Sequence, residues 1–146
     1  MALYSGMNIS SSGMTAQRLR MDTIAQNIAN VNTTRDEDGN VYRRKTVVFQ
    51  EKSSKAFGKV FAERLDAARG KGVKVVAITE DEETPLNMVY DPSHPDADED
   101  GYVSYPNVNT VTEMTNLIDA SRAYEANVTA FNASKSLALK GLEVGK

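Results

Sequence analysis

Two stripes of heptad spacing, one at each end of a 146-residue chain, limit what it can fold into. Near the start, Met7, Met14, Met21 and Ile28 fall seven residues apart, and Leu3, Ser10, Gln17, Ile24 and Val31 fill the alternate positions. Near the end, Leu117, Tyr124, Phe131 and Ala138 repeat at the same interval, with Met114, Ser121, Val128, Lys135 and Leu142 between them. Steps of three and four, sustained over several turns, are how a helix offers one narrow edge to another helix. The expected fold class is α+β: long N- and C-terminal helices pairing as a coiled coil, with a small β-rich insert between them. The boundaries that follow are 1–34 and 107–146 for the helical part and 35–106 for the insert.

Local signals fill in the elements. The first helix is expected from about Met7 to Val31. Gly13 interrupts it at about 1 kcal/mol relative to Ala, and Ser10 to Ser12 form either a softer first stretch or an N-cap. Asn30, Asn32, Thr33 and Thr34 favour its end, and Asp36 to Asn40 a turn in which Gly39 takes positive φ. Strands are expected over Val41–Gln50, Val73–Thr79, Leu86–Tyr90 and Tyr102–Tyr105. Lys52 to Ala68 is ambiguous, because helical spacing of Phe57, Val60, Phe61 and Leu65 is weakened by Gly58. Pro92 and Pro95 stiffen the turn that starts at Asp91. The second helix is expected from Val111 to about Leu142, capped by Asn109 or Thr110, with Gly141 and Gly145 at its fraying end.

Charge is divided along the chain. The net charge is -3, which disfavours nucleic acid as a main partner. Arg43 to Lys74 is rich in Lys and Arg, with only Glu51, Glu63 and Asp66 as acids. Glu80 to Gly101 holds nine acids and no Lys or Arg. Two solvated faces would explain this; so would complementary patches that set register between subunits. With no cysteine, disulfides and thiolate metal sites are excluded. No run of about 18 apolar residues suggests a membrane span. The N-terminus lacks the basic start and apolar stretch of a Sec-type signal peptide.

Candidate sites are few. Asp96, Asp98, Asp100 and Gly101 match positions one, three, five and six of a calcium loop, and Val103 matches position eight. Position twelve, normally a bidentate Glu, is Asn107, so a calcium-responsive module over 96–107 is the alternative to a solvated acidic turn. His94, the one histidine, lies between Ser93 and Pro95 with no serine or cysteine elbow to act on, and reads as a turn residue. Arg43, Arg44 and Lys45 are too few for specific anion recognition and read as a solvated or inter-subunit face. The methionines suit an adaptable interface. Asn27, Asn30 and Asn32 are either helix-end polar residues or inter-subunit hydrogen bonders. No catalytic constellation and no cofactor site is expected.

The string IAQNIANVNT (Ile24 to Thr33), after SSGMTAQRLRMD (Ser11 to Asp22), resembles the N-terminal signature of bacterial flagellar rod and hook proteins. PNVNTVTEMTNLIDASRAYEANV (Pro106 to Val128) resembles the partner motif of that family. Three strings in the middle, VYRRKTVVFQ (Val41 to Gln50), GVKVVAI (Gly72 to Ile78) and YDPSHPDADEDGYVSYPNV (Tyr90 to Val108), look like its proximal-rod members. The segment Lys52 to Arg69 is long and basic for one that is often short and Gly-rich there.

The resemblance implies a structural, non-enzymatic subunit of the basal body, in the cell envelope and in the periplasm where there is an outer membrane. It implies paired terminal helices as the innermost layer of a hollow, torque-transmitting tube. Implied partners are further copies, other rod proteins and the flagellar type III export apparatus. The implied assembly interface lies on Leu3, Met7, Met14, Met21, Ile24, Asn27, Ile28, Asn30, Val31 and Asn32 of the first helix. On the second it lies on Met114, Leu117, Ser121, Tyr124, Asn127, Val128, Phe131 and Leu142, with small residues such as Ala126 and Ala130 permitting close approach. Such a tube needs head-to-tail contacts that do not close into a ring.

Overall fold

A computed structural model describes residues 2–36, 39–52 and 71–144; most of the ambiguous Lys52 to Ala68 stretch lies outside the described residues. In chain order the elements are α1 (Ala2–Ala29), β1 (Lys45–Glu51), β2 (Val73–Glu80), β3 (Asn87–Tyr90), β4 (Tyr102–Tyr105) and α2 (Thr110–Val144). The architecture is α+β, two long terminal helices with antiparallel strands between them.

α1 begins earlier than the serines suggested. The Ser12 hydroxyl does not cap; it donates to the Ile9 carbonyl at 2.7 Å and accepts from the Val73 amide at 3.1 Å. The helix ends where Asn30 turns its side chain back to the Gln26 carbonyl and accepts from Thr33 Oγ1. The following turn forms as expected, with Gly39 at φ +84° and the Asn40 amide bonded to Asp36 Oδ1. α2 starts on an Asn cap: Asn109 Oδ1 accepts from the amides of Val111 and Thr112. It continues through Gly141 to Val144.

The helices run antiparallel in constant heptad register. Gly6 faces Ser134, Gly13 faces Asn127, and Asn27 bonds to Glu113. Each step of seven along α1 is met by a step of seven back along α2, as in a coiled-coil seam. Gly13 is therefore a close-approach residue: a Cβ there would stand 2.5 Å from Asn127 Oδ1. Its helical cost is offset by letting the helices meet.

This seam sits one residue away from the methionine column of the sequence, while Ser10 and Ile24 of the alternate column are buried. On α1 the facing column runs through Gly6, Gly13 and Asn27, while Met7, Met14, Met21 and Ile28 flank it half-buried. On α2, Glu113, Ala120, Asn127 and Ser134 take the place expected for Met114, Ser121, Val128, Lys135 and Leu142. Met114 and Leu142 are 54% and 72% exposed, whereas Ala120 is fully buried. The reason is steric: small and hydrogen-bonded residues let two backbones come closer than methionine allows.

β1 and β2 form an antiparallel ladder from Lys45↔Glu80 to Glu51↔Val73, with a bulge at Val76 where the register shifts between Val48 and Phe49. The ladder lies along α1, bound at Asn27 through Lys45 and at Ser12 through Val73. From Ser12 to Asn27 a helix rises about 22 Å, and six strand steps cover about 20 Å, so both ends can be tied at once. β3 and β4 pair from Asn87↔Tyr105 to Tyr90↔Tyr102. The expected strand at Val41 begins only at Lys45, because before it the Tyr42 amide bonds to the Thr33 carbonyl and the Arg44 amide to Asn107 Oδ1. The buried apolar residues are few: Ala16, Ile24, Val103, Val108 and Ala120 among those described.

Gly72 closes this frame. Its φ is +85°, and a Cβ would collide with the Ser12 hydroxyl and lie 3.4 Å from the Ile9 Cα. Gly72→Ala is expected to destabilise the insert by about 2 kcal/mol, from strain and lost packing. Hydrogen exchange of the β1–β2 amides, faster in the variant than in the parent chain, checks this.

Candidate functional site

The strongest convergence of polar side chains lies where α1, α2 and the start of β1 meet. Asn27 is 0% exposed and Glu113 is 1% exposed. A buried amide needs four partners, and Asn27 has them. Its Nδ2 donates to the Lys45 carbonyl and to Glu113 Oε2, both at 2.9 Å. Its Oδ1 accepts from the Tyr42 hydroxyl at 2.8 Å and the Lys45 amide at 2.9 Å. The other Glu113 oxygen accepts from Arg44 Nε at 2.9 Å and Asn116 Nδ2 at 3.3 Å. The carboxylate is thus paired and hydrogen-bonded, the condition on which a buried charge is tolerated.

A second asparagine extends the network. Asn107 Oδ1 accepts from the Arg44 amide at 2.8 Å, while its Nδ2 donates to the carbonyls of Asp81 and Thr84. Asn87 donates to the Pro106 carbonyl at 2.9 Å. Four segments distant in sequence are held at one point: the end of α1, residues 42–45, residues 81–87, and residues 106–116. Burial pushes the Tyr42 hydroxyl above its ordinary pKa, with the Glu80 and Glu113 charges adding to the effect. Asp81 is held below the usual carboxylate range by the Thr84 amide and hydroxyl.

The remaining residues singled out by sequence fall in three places. Ile24 is buried, and Met7, Met14, Met21, Ile28 and Val31 are half-buried beside the seam. Leu3 lies in the first turn of α1, its side chain outside the described set. Asn30 serves the helix end and Asn32 is exposed. On α2, Leu117, Ser121, Tyr124, Val128 and Phe131 are half-buried, and Tyr124 receives the Arg18 guanidinium at 3.3 Å. Asn127 donates to the Ala123 carbonyl at 2.7 Å and fills the space over Gly13.

The acidic loop is occupied with its own turn. Asp96 pairs with Arg35 at 3.0 Å and accepts from Thr34. Asp98 Oδ1 accepts from the Asp100 and Tyr102 amides, and Asp91 from Ser93. His94 Nδ1 accepts from the Asp96 amide. Asn107, the twelfth position of the supposed calcium loop, points into the network above rather than toward the loop. No cluster of three or more potential metal ligands occurs among the described residues.

Arg44 was read from the sequence only as part of a basic face and Asn107 only as the twelfth position of a calcium loop, and Glu113 was not read as a site residue. The only available signal was the position of Glu113 in the first turn of a helix, where a carboxylate suits the dipole.

A long helix pair locked to a β-rich insert by a buried asparagine and glutamate is the class of fold that this chain defines. Comparison with known proteins narrows this. The family description "Flagella basal body rod protein" matches residues 7–35, and "Flagellar basal body rod FlgEFG protein C-terminal" matches residues 99–144. The flagellar basal-body rod protein FlgC of Borreliella burgdorferi is 47% identical, covering 99% of this chain and 98% of its own. Those of Bacillus subtilis and Salmonella typhimurium are 45% and 40% identical, each over the full length of both chains. The chain belongs to the FlgC family of flagellar basal-body rod proteins.

Asn27→Ala is expected to destabilise the chain by about 3 kcal/mol or more, since it strands buried partners on Glu113, Tyr42 and Lys45. Thermal unfolding of the purified chain checks it. Because the folded Tyr42 pKa lies above its unfolded value, its contribution is full below about pH 10 and is lost as pH rises through the folded value. Tyr42→Phe should flatten that alkaline loss.

Proposed function

We propose that this chain is a structural subunit of the flagellar basal-body rod, built into a helical axial tube at its proximal part, with no catalytic role. Family membership and the buried network support this reading. The observation that carries it is the mismatch between the two kinds of surface. The intramolecular seam is small and polar, while Val111, Met114, Ile118, Leu137, Leu139 and Leu142 of α2 are exposed. A long helix with that much apolar surface outward is suited to burial against other subunits. Among the described residues no helix is long and apolar enough to cross a membrane, so a lipid core is a poor alternative for that surface.

In this reading copies of the chain and other rod proteins cover the outer face of α2, and the half-buried flanks of the seam meet neighbours edge-on. The assembly residues are Met7, Met14, Met21, Ile28 and Val31 on α1, and Met114, Ser121, Val128 and Leu142 on α2. The sequence groups 1–34 and 107–146 then act as the axial unit and 35–106 as the outward one. Delivery through the flagellar type III export apparatus follows from the family resemblance and rests on it alone.

Ala126 and Ala130 lie on the exposed face of α2. Ala126→Trp or Ala130→Trp is expected to leave the isolated chain folded, within about 0.5 kcal/mol, because the site is exposed. Either variant should be missing from purified basal bodies and should abolish swimming. Normal motility in both would sink the proposed helix packing.

A further inference from the structure

A groove of about 830 Å³ runs between α1 and the β2 strand, at the opposite end of the strand from the polar network. Among the described residues Arg18, Lys52, Lys71 and Lys74 line it, against a single acid, Asp22. Lys52 and Lys74 are exposed, and the hydroxyls of Ser11 and Thr15 lie on the helix wall. Such a cleft concentrates positive potential. Its natural occupant is an exposed run of carboxylates.

The chain carries that run itself. The end of β2 and the turn after it hold Glu80, Asp81, Glu82 and Glu83; Glu80, Glu82 and Glu83 are exposed, with Glu80 paired to Lys45 at 3.6 Å. Asp81 is the member held inward, on Thr84. The turn cannot reach the groove of its own chain. Lys74 and Glu80 stand six strand steps apart, about 20 Å. That also exceeds the screening length of about 8 Å at physiological salt, so the two fields do not cancel within one subunit.

We propose that the basic groove between α1 and β2 is the socket for the acidic Glu80–Glu83 turn of a second copy of this chain. Socket and plug lie at opposite ends of one strand. Repeated head to tail, the contact is heterologous and propagates along the direction of β2, giving species larger than the dimer at which a reciprocal two-fold pair would stop. Its plug belongs to the insert and its socket to β2 and one wall of α1, and so it adds a second, charge-set link to a rod held mainly by helix packing. The proposal rests on the rod reading for the presence of neighbouring copies. The charge pattern selects the partner: a third class of surface, the acidic loop at 96–100, is engaged with Arg35 and Thr34 through Asp96.

The absence of cysteine in the sequence allows a clean test. A chain carrying Lys74→Cys and Glu83→Cys is expressed in its own host in place of the parent chain, and basal bodies are purified and oxidised. A disulfide needs Cα atoms within about 7 Å, so the pair cannot bridge inside one chain. The expected result is a ladder of dimers and higher species on a non-reducing gel, with either single-cysteine chain giving none. Adding Lys52→Glu should lower the ladder about tenfold, because a like charge then faces the plug; adding Glu82→Lys as well should restore it. Basal bodies that contain the chain but yield no ladder overturn the socket and leave the rod reading intact. A chain with Lys74→Cys and Glu83→Cys that folds, together with a parent chain absent from basal bodies, overturns both.

Discussion

The hydrogen bond between Asn27 and Glu113 is the contact on which the rest of the structure depends. It joins the C-terminal end of α1 to the first turn of α2, and so fixes the register of an antiparallel pair whose other facing residues are Gly6, Gly13, Asn127 and Ser134. Those residues offer little apolar area, and area burial at about 25 cal/mol per Å² cannot distinguish one register of such a seam from another. A slip of one turn would break the bond between the buried Asn27 amide and Glu113 carboxylate and leave each a partner short. The cost of unmade bonds, rather than the gain of made ones, selects the geometry.

The same two side chains orient the insert. Asn27 bonds both main-chain groups of Lys45, and Glu113 holds the Arg44 guanidinium. β1 thus leaves the helix pair at a direction set by a fully satisfied amide. Ser12 fixes its far end through Val73, with Gly72 giving the clearance. Two attachment points about 20 Å apart make the β1–β2 ladder a stiff extension of α1. Any contact made by that ladder is then referred directly to the helical pair, which is what a subunit placed in a load-bearing tube would require.

Much of the architecture was legible beforehand, and the failures have a common cause. The heptad intervals located both helices, because period alone marks a helix whatever its face. Strand positions were legible from β-branched runs such as Val73 to Thr79. The phase of the seam was not legible. Scoring apolar residues puts Met7, Met14, Met21 and Met114 in the interface beside Asn27 and Asn127, yet the contact is made by those two asparagines with Gly13 and Glu113, one position from the methionines. Apolar scoring presumes that the tightest contact is the greasiest. Here it is the smallest and best hydrogen-bonded, and the methionines are displaced to the flank. The roles of Arg44 and Asn107 were not legible for another reason: Arg44 bonds to the side chains of Asn107 and Glu113, and Asn107 to main-chain groups of Arg44, Asp81 and Thr84, 23 to 69 residues away, which no local pattern records.

Displacing the methionines to the flank has a physical consequence for assembly. Buried in the seam, Met114 and Leu142 would stabilise the isolated chain and leave a polar exterior, with little to gain on contact with a neighbour. Exposed, they leave the chain marginal alone, since two helices with a narrow polar seam bury little surface. The free energy of apolar burial is then released only when subunits meet. A polar seam sets the shape of the subunit in advance, and in the proposed packing an apolar flank drives its association. Dividing the two tasks between adjacent columns of one heptad lets register be decided within the chain, before any neighbour arrives to compete for it.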